Sequence, residues 1–131
     1  MNSNNISQKI STRLMSIGVN TMSLFYIKNT DGEECRTILK NDNIFVSLFM
    51  SLFVIESSLI INENDQAAAL SQYYTTILEE IDGLRTHITN LYDSLILYVD
   101  DSESLYFLDE YLKFMNTVIN ETESMIIQEL P

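Results

Sequence analysis

The residues of this chain that are able to do chemistry are few, and they do not stand at catalytic spacings. His87 is the single histidine and Cys35 the single cysteine of the sequence. A general base needs a partner group and a substrate pocket, and a catalytic thiolate needs an activating base nearby. Neither residue has such a companion close to it in sequence. We therefore predict no catalytic residue and interpret His87 as a partly buried structural histidine.

Carboxylates are abundant, with 19 Asp and Glu in 131 residues, but no pattern among them predicts a metal site. The pairs Glu79-Glu80 and Asp109-Glu110 fall largely away from the apolar positions, and no Glu-x-x-His motif of di-iron bundles occurs. The run Asp100-Asp101-Ser102-Glu103 lacks the twelve-residue calcium loop. A glycine-rich phosphate loop is missing too. The sequence predicts no cofactor, no metal and no enzymatic activity.

The composition favours a folded protein that binds other proteins. Hydrophobic residues make up 46% of the chain, and the net charge is −12. Residues 64–131 carry thirteen acidic and two basic residues, and residues 1–63 carry six and five, so the net charges are −11 and −1. Such an acidic surface repels nucleic acid and anionic membranes and attracts basic partners. We expect no direct nucleic-acid binding and a protein partner that is basic or exposes an apolar segment.

Two apolar seams at heptad spacing organise the C-terminal half. The spacing alternates between four and three in both, which is the a/d pattern of packed helices. A short polar turn joins them, so residues 65–99 and 102–130 are predicted to form a long antiparallel helical hairpin. Gly83 lies off the seam and does not shift its phase, so the first helix should be continuous. Asp100 with Glu103 resembles a capping box for the second. The seams are Leu70, Tyr74, Ile77, Ile81, Leu84, Ile88, Leu91, Leu95, Tyr98 and then Leu105, Leu108, Leu112, Met115, Ile119, Thr122, Ile126.

The N-terminal half predicts three further elements. A short amphipathic helix over about residues 5–17 should end at Gly18. Two β-favouring runs, residues 22–28 and 33–40, flank Asp31-Gly32 and predict a β-hairpin. Residues 44–61 are apolar almost all round, which favours a central helix buried on most sides, with two buried strands as the alternative. The fold class is thus mainly α with a small β-hairpin (α+β).

The length fits a single domain, residues 1–131, with a near-neutral head (1–63) and an acidic helical hairpin (64–131). A lone cysteine forms no intramolecular disulfide and suits a reducing, cytoplasmic location. The polar start of the chain lacks the pattern of a signal peptide. Residues 44–61 are barely long enough to span a membrane and contain Glu56 and several serines, so no membrane span is predicted.

Three functional hypotheses follow. The first is a protein-binding module that acts stoichiometrically, as an adaptor, chaperone or immunity-type inhibitor, through apolar grooves rimmed by acidic residues. In bulk properties alone, the chain is similar to the small acidic chaperones of type III secretion. The second is an acidic DNA-mimic inhibitor of a basic nucleic-acid-binding protein, and the third is a structural coiled-coil oligomeriser. Surplus apolar positions on the last helix favour a homodimer. The candidate partner-binding residues are Glu79, Glu80, Asp82, Asp93, Asp109, Glu110, Tyr111, Phe114 and Val118.

Overall fold

The computed structural model describes residues 3–41, 43–64 and 67–128, with side chains described for 8–28, 32–41, 43–59 and 74–128. Over these residues the chain forms five α-helices and one short 3-10 helix, and no β-strand. The α-helices are α1 (Ser3–Met22), α2 (Asn29–Asn41), α3 (Asn43–Asn64), α4 (Ala67–Ile96) and α5 (Ser102–Gln128), and the 3-10 helix η1 spans Ser23–Tyr26. The predicted seam side chain at Leu70 and the predicted end of the last helix at Leu130 lie outside the described residues.

Four of these helices form a bundle. α1 packs on α3 and α5, and α4 packs on the same two helices, with the most extensive packing between α3 and α4. η1 and α2 connect α1 to α3, and α2 also contacts α4. Buried side chains from every helix join in one hydrophobic core. The helices of the predicted head and those of the predicted hairpin therefore share a core.

The hairpin-like packing of α4 against α5 and the continuity of α4 through Gly83 are confirmed. The central helix is also confirmed, since α3 is one uninterrupted helix. At the start of α5 the prediction is wrong by one residue: Asp101 Oδ2 accepts from the Ser104 N–H at 3.3 Å, so Asp101 rather than Asp100 is the N-cap. Asp101 fits this position because a cap carboxylate satisfies an N–H that has no partner within the helix.

The predicted β-hairpin, and with it the α+β fold class, is wrong. The first run ends α1 and forms η1, and the second forms α2. Gly32 is needed there for its missing side chain: a Cβ at this position would overlap the carbonyl oxygen of Ile27. Arg36 Nη1 holds the same corner by donating to the carbonyls of Phe25 and Ile27 at 3.1 and 3.0 Å. An Asp-Gly pair thus marks close backbone packing here and not a two-residue turn.

The predicted end of the first helix at Gly18 is also wrong, because α1 runs on to Met22. A Cβ at Gly18 would lie 3.5 Å from Phe49 Cε1 and 3.7 Å from Leu52 Cδ1. Gly18 therefore lies where α1 and α3 approach each other. α3 in turn is less completely buried than predicted, since Val46, Met50 and Phe53 are exposed.

The predicted seams are largely in the core, with differences that have a structural cause. Tyr98 is exposed and Val99 is buried in its place, because α4 ends at Ile96 and the helical period ends with it. On α5, Leu105 and Leu112 are half-buried, whereas Tyr111 and Val118 are buried. α5 contacts α1 as well as α4, so its buried stripe is wider than a strict a/d seam.

None of the described helices is by itself long and apolar enough to cross a membrane. α2 and α3 taken together would pass on length and composition alone, but the two are bent by 62° relative to each other.

Candidate protein-binding groove

An apolar groove opens on the surface between α1 and α3. Its volume is about 710 Å³, within the range of well-formed binding sites. The close approach of the two helices at Gly18 forms its floor, together with Leu14 and Leu52. The exposed side chains that line it are Met15, Val19, Met22, Tyr26 and Phe53. We call this site the α1–α3 groove.

The groove exists because α1 and its extension into η1 carry two apolar stripes. The first is buried and consists of Ile10, Leu14, Ile17, Thr21 and Leu24. The second is exposed and consists of Met15, Val19, Met22 and Tyr26. Both stripes have the alternating spacing of four and three by which helices pack on one another. The first stripe packs into the core of the bundle, and the second faces the groove.

α3 contributes a matching stripe of Val46, Met50 and Phe53, again at spacings of four and three. All three are more than half exposed, Phe53 at 65%. Phe45 and Phe49 of the same helix contact each other with ring centroids 5.0 Å apart and planes tilted by 53°, and Phe49 also lines the groove. Of the three stripe residues only Phe53 lines the groove, whereas Val46 and Met50 lie outside its lining. We call the exposed apolar side chains of α1, η1 and α3 the apolar face: Met15, Val19, Met22, Tyr26, Val46, Met50 and Phe53.

Polar groups stand at both ends of the groove. At one end the Ser11 hydroxyl of α1 donates to Glu56 Oε1 of α3 at 2.9 Å. At the other end Tyr26, which is 79% exposed, also lines a smaller hollow of about 190 Å³. That hollow is lined by Asp101, Glu103 and Lys28 among other residues. The groove lining thus contains one carboxylate, Glu56, and its Tyr26 end adjoins a hollow that has both acidic and basic side chains.

Comparisons with models of known protein families, with curated protein sequences and with solved structures found no match to this chain. A functional assignment therefore has to come from the chemistry of its own surface.

The three apolar residues predicted to bind a partner lie in different environments. Phe114 is exposed, whereas Tyr111 and Val118 are buried. The Tyr111 hydroxyl lies 2.8 Å from Thr21 Oγ1 of α1. Burial raises the pKa of Tyr111 to about 12. Tyr111 therefore stays neutral and joins α5 to α1, so its side chain is not on the surface that a partner meets.

The six predicted carboxylates are at or near the surface, but several are engaged with neighbours. Arg85 of α4 pairs with Asp82 at 2.7 Å and crosses to Glu123 of α5 at 2.9 Å. Glu110 pairs with Lys113 at 3.6 Å. Glu79 and Asp93 are exposed and Glu80 is half-buried. Arg85 was not among the predicted residues, although it is the basic group that ties the two acidic helices together.

Asp109 is engaged as well, because it accepts a short hydrogen bond from the Tyr92 hydroxyl. This bond, with some burial and the charges of Asp109 and Asp93, raises the pKa of Tyr92. Tyr92 lies on α4 and Asp109 on α5, so the pair is a second polar contact between these two helices.

The residues considered for chemistry lie on different helices, Cys35 on α2 and His87 on α4. Cys35 is buried in the core and His87 is half-buried on α4. Within the part of the chain that the structure describes, no group of three His, Cys, Asp or Glu residues is placed to hold a metal ion.

The groove residues were missed at the sequence level for an identifiable reason. The predicted helix ends at Gly18 and residues 22–28 are predicted to form a strand, so only Met15 of the exposed stripe lies on the predicted helix. The signal was nonetheless there: Met15, Val19 and Met22 repeat the spacing of Ile10, Leu14 and Ile17 five residues later along the helix. A helix with two such stripes has one more than a single neighbouring helix requires.

Proposed function

We propose that this chain is a protein-binding module that acts stoichiometrically, and that the α1–α3 groove is its binding surface. The observation that carries the proposal is the apolar face. Each of its seven side chains exposes on the order of 100 Å² of largely apolar surface. The five that line the groove expose roughly 500 Å² together, the size of a monomer's largest apolar patch, which is often a functional surface. Val46 and Met50 add exposed apolar surface on α3 outside the groove lining.

The chemistry of the groove supports a protein partner over a small polar substrate. Its lining is apolar over most of its length, and its polar groups are confined to the ends. Side chains such as Met15, Met22 and Met50 adapt readily to different apolar surfaces. In this proposal the module works in the cytoplasm, as the single cysteine led us to expect, and its acidic surface steers basic partners towards the groove.

The DNA-mimic and oligomeriser hypotheses remain predictions with less support. A mimic needs carboxylates that are available to a basic protein, and Asp82, Asp109 and Glu110 already have partners within the chain. A homodimer remains a prediction as well, since a second copy is an alternative occupant of the apolar face.

Two matched variants test the proposal. The groove variant carries Met15→Ser and Phe53→Ser, whose parent side chains are 67% and 65% exposed. The control variant carries Leu97→Ser and Tyr106→Ser, at 78% and 67%, outside the groove lining. Because all four side chains are exposed, both variants should keep the circular dichroism spectrum and melting temperature of the parent chain within about 2 °C.

The measurement is quantitative mass spectrometry of proteins that copurify with each tagged chain from cells that express it naturally. We expect one partner, in about equimolar amount, with the parent chain and the control variant, and its loss from the groove variant. Retention of that partner by the groove variant would contradict the proposal, as would the absence of any partner of the parent chain at both low and high salt.

A further inference from the structure

The apolar face extends beyond the α1–α3 groove, and its two parts differ in shape. The groove is a hollow between α1 and α3, and Phe53 of the exposed α3 stripe lines it. Met50 and Val46 precede Phe53 at spacings of three and four, so they continue the same side of α3 outside the hollow. We call Val46 and Met50 the α3 ridge. An apolar hollow and an exposed apolar ridge therefore lie side by side on one surface.

The area of the apolar face is close to what one copy contributes to a stable dimer. Its seven side chains expose about 100 Å² each and about 700 Å² together. A standard specific interface buries roughly 800 Å² of each partner, whereas the largest apolar patch of a monomer is typically about 300–600 Å². Neither the groove nor the ridge reaches that interface size alone, so an occupant of matching size has to cover both.

The helices that carry the apolar face have no net charge. α1, η1 and α3 together contain two basic residues, Lys9 and Arg13, and two acidic residues, Glu56 and Glu63. α4 and α5 contain nine acidic and two basic residues, so their net charge is −7. Since α1 and α4 each pack on both α3 and α5, the α1–α3 side of the bundle is opposite the α4–α5 side. The apolar face is thus turned away from the acidic helices.

Two copies that meet through the apolar face keep their acidic helices far apart. Packed helices lie about 8–10 Å from each other, so three helix spacings, roughly 25–30 Å, separate the α4 helices of the two copies. Charges at that distance are largely screened at about 150 mM salt, where the Debye length is about 8 Å, but not at about 10 mM, where it is about 30 Å. The net charge of −12 on each copy therefore opposes pairing mainly at low salt.

From these features we infer that two copies of this chain pair through the apolar face when no other partner is bound, with the α3 ridge of each copy in the α1–α3 groove of the other. Such a pairing is isologous, because a two-fold axis relates the two ridge–groove contacts. Phe53, which lies between ridge and groove, falls near that axis. The inference deepens the proposed function, on which it rests for one step: the second copy covers the groove until a partner displaces it.

Sedimentation equilibrium of the parent chain from about 1 to about 100 µM tests the pairing. We expect a reversible monomer–dimer equilibrium whose dissociation constant rises at least about fivefold when salt is lowered from about 150 to about 10 mM. The groove variant should raise this constant at least about tenfold, and the control variant should keep it within about twofold. A parent chain that stays monomeric overturns the inference, as does a groove variant that dimerises like the parent, or a dimer that low salt leaves unchanged or strengthens.

A further variant tests the contact of ridge with groove. The ridge variant, Val46→Ser with Met50→Ser, changes exposed residues outside the groove lining and should weaken the homodimer at least about tenfold. A mixture with the groove variant brings an unaltered groove to an unaltered ridge, so one of the two contacts is restored. In native mass spectrometry of an equimolar mixture, the heterodimer should exceed each homodimer by roughly tenfold or more, where random mixing gives about twofold. A random distribution overturns the ridge–groove arrangement.

The uncharged dye Nile red, which fluoresces on apolar surface, reports whether the groove is covered. Its fluorescence per chain should rise severalfold as the parent chain is diluted through its dissociation constant. The ridge variant, which is monomeric with an unaltered groove, should give the higher signal at every concentration. A dimer whose signal does not change on dilution overturns the inference and leaves the proposed function standing. A dimer that passes all three tests supports the inference, and if no other protein copurifies with the parent chain, only the proposed function is overturned.

Discussion

Among single residues, Thr21 and Tyr111 form a hydrogen-bonded contact between two helices in which each donor and acceptor can be assigned. Thr21 Oγ1 lies 2.8 Å from the Ile17 carbonyl oxygen and 2.8 Å from the Tyr111 hydroxyl. A hydroxyl group has one proton to donate, and a carbonyl oxygen only accepts. Thr21 therefore donates to Ile17, and Tyr111 donates to Thr21. This chain of two bonds satisfies both buried hydroxyls where α1 meets α5.

A double-mutant cycle should detect this arrangement. Thr21→Val leaves the buried Tyr111 hydroxyl without its acceptor, so we expect the free energy of unfolding to fall by about 1–3 kcal/mol. Tyr111→Phe removes the donor and should cost about 1 kcal/mol. The double variant should lose clearly less than the sum, because no unsatisfied hydroxyl remains. Urea unfolding of the four proteins measures this, and strictly additive losses would show that the two hydroxyls are not coupled.

The glycines give a second prediction at this scale, because two of them have opposite surroundings. A Cβ at Gly32 would overlap the Ile27 backbone, whereas a Cβ at Gly83 would lie 3.9 Å from both Ser51 Oγ and His87 Nε2, an ordinary contact distance. Gly83→Ala should therefore stabilise the protein by about 0.5–1 kcal/mol through helix propensity. Gly32→Ala should destabilise it by at least about 2 kcal/mol. Thermal unfolding of the two variants should shift in opposite directions, and a shared direction would mean that the corner at Ile27 is not as tight as described.

Among the helices, the success of sequence reasoning depended on the length of the pattern. α4 was predicted correctly because its seam repeats over about four heptads. A single helix-weakening residue such as Gly83 does not outweigh a pattern of that length. The segment from Met22 to Lys40 was predicted incorrectly because it holds short apolar runs around an Asp-Gly pair. A glycine serves either for positive φ or for its missing Cβ, and the sequence does not distinguish these two uses. In the folded protein Leu24 and Ile27 are buried, and Gly32 lies against the Ile27 carbonyl. The glycine is therefore needed here for its missing Cβ.

The α4 seam itself is open to a direct test. Ile88 is fully buried, and Thr89 beside it is exposed. Ile88→Asp places an unpaired carboxylate in the core, so we expect a loss of about 3–5 kcal/mol in the free energy of unfolding. Thr89→Asp, the same new residue one position later, should change it by less than about 0.5 kcal/mol. Circular dichroism during urea unfolding measures the free energy of unfolding of both variants. Equal losses would show that Ile88 is not a core residue.

At the level of the whole molecule, charge and apolar surface are separated. The acidic excess belongs to residues 64–131, where α4 and α5 lie, whereas the α1–α3 groove is lined by the N-terminal helices. Charges far from a docking surface affect mainly the rate of encounter, and charges at its rim also affect how long the complex lasts. The two sets of carboxylates should therefore have different kinetic effects on one ligand.

Stopped-flow association of the partner that copurifies with the parent chain should show this difference. Changing Glu79, Glu80 and Asp93 to their amides should slow association severalfold at low salt and leave the dissociation rate within about twofold. Changing Glu56, which lines the groove, to glutamine should instead raise the dissociation rate by roughly threefold or more. All four residues lie outside the ion pairs of Arg85 and Lys113. An unchanged association rate and salt slope in the first variant would assign Glu79, Glu80 and Asp93 no part in recognition.

Several properties of this protein are determined by the sequence alone, because they depend on counts and on long periodic patterns. The net charge, the unequal acidity of the two halves and the continuity of α4 belong to this class, whereas for residues 44–61, which are apolar almost all round, the sequence left one helix and two buried strands open. The sequence alone does not determine which apolar stripe of a helix is buried. On α1 the stripe of Ile10, Leu14 and Ile17 and the stripe of Met15, Val19 and Met22 have the same spacing, and both consist of apolar residues. Local propensity therefore treats them alike. Only the packing of α1 on both α3 and α5 selects the first stripe for the core, and this leaves the second stripe exposed beside Phe53 as a groove.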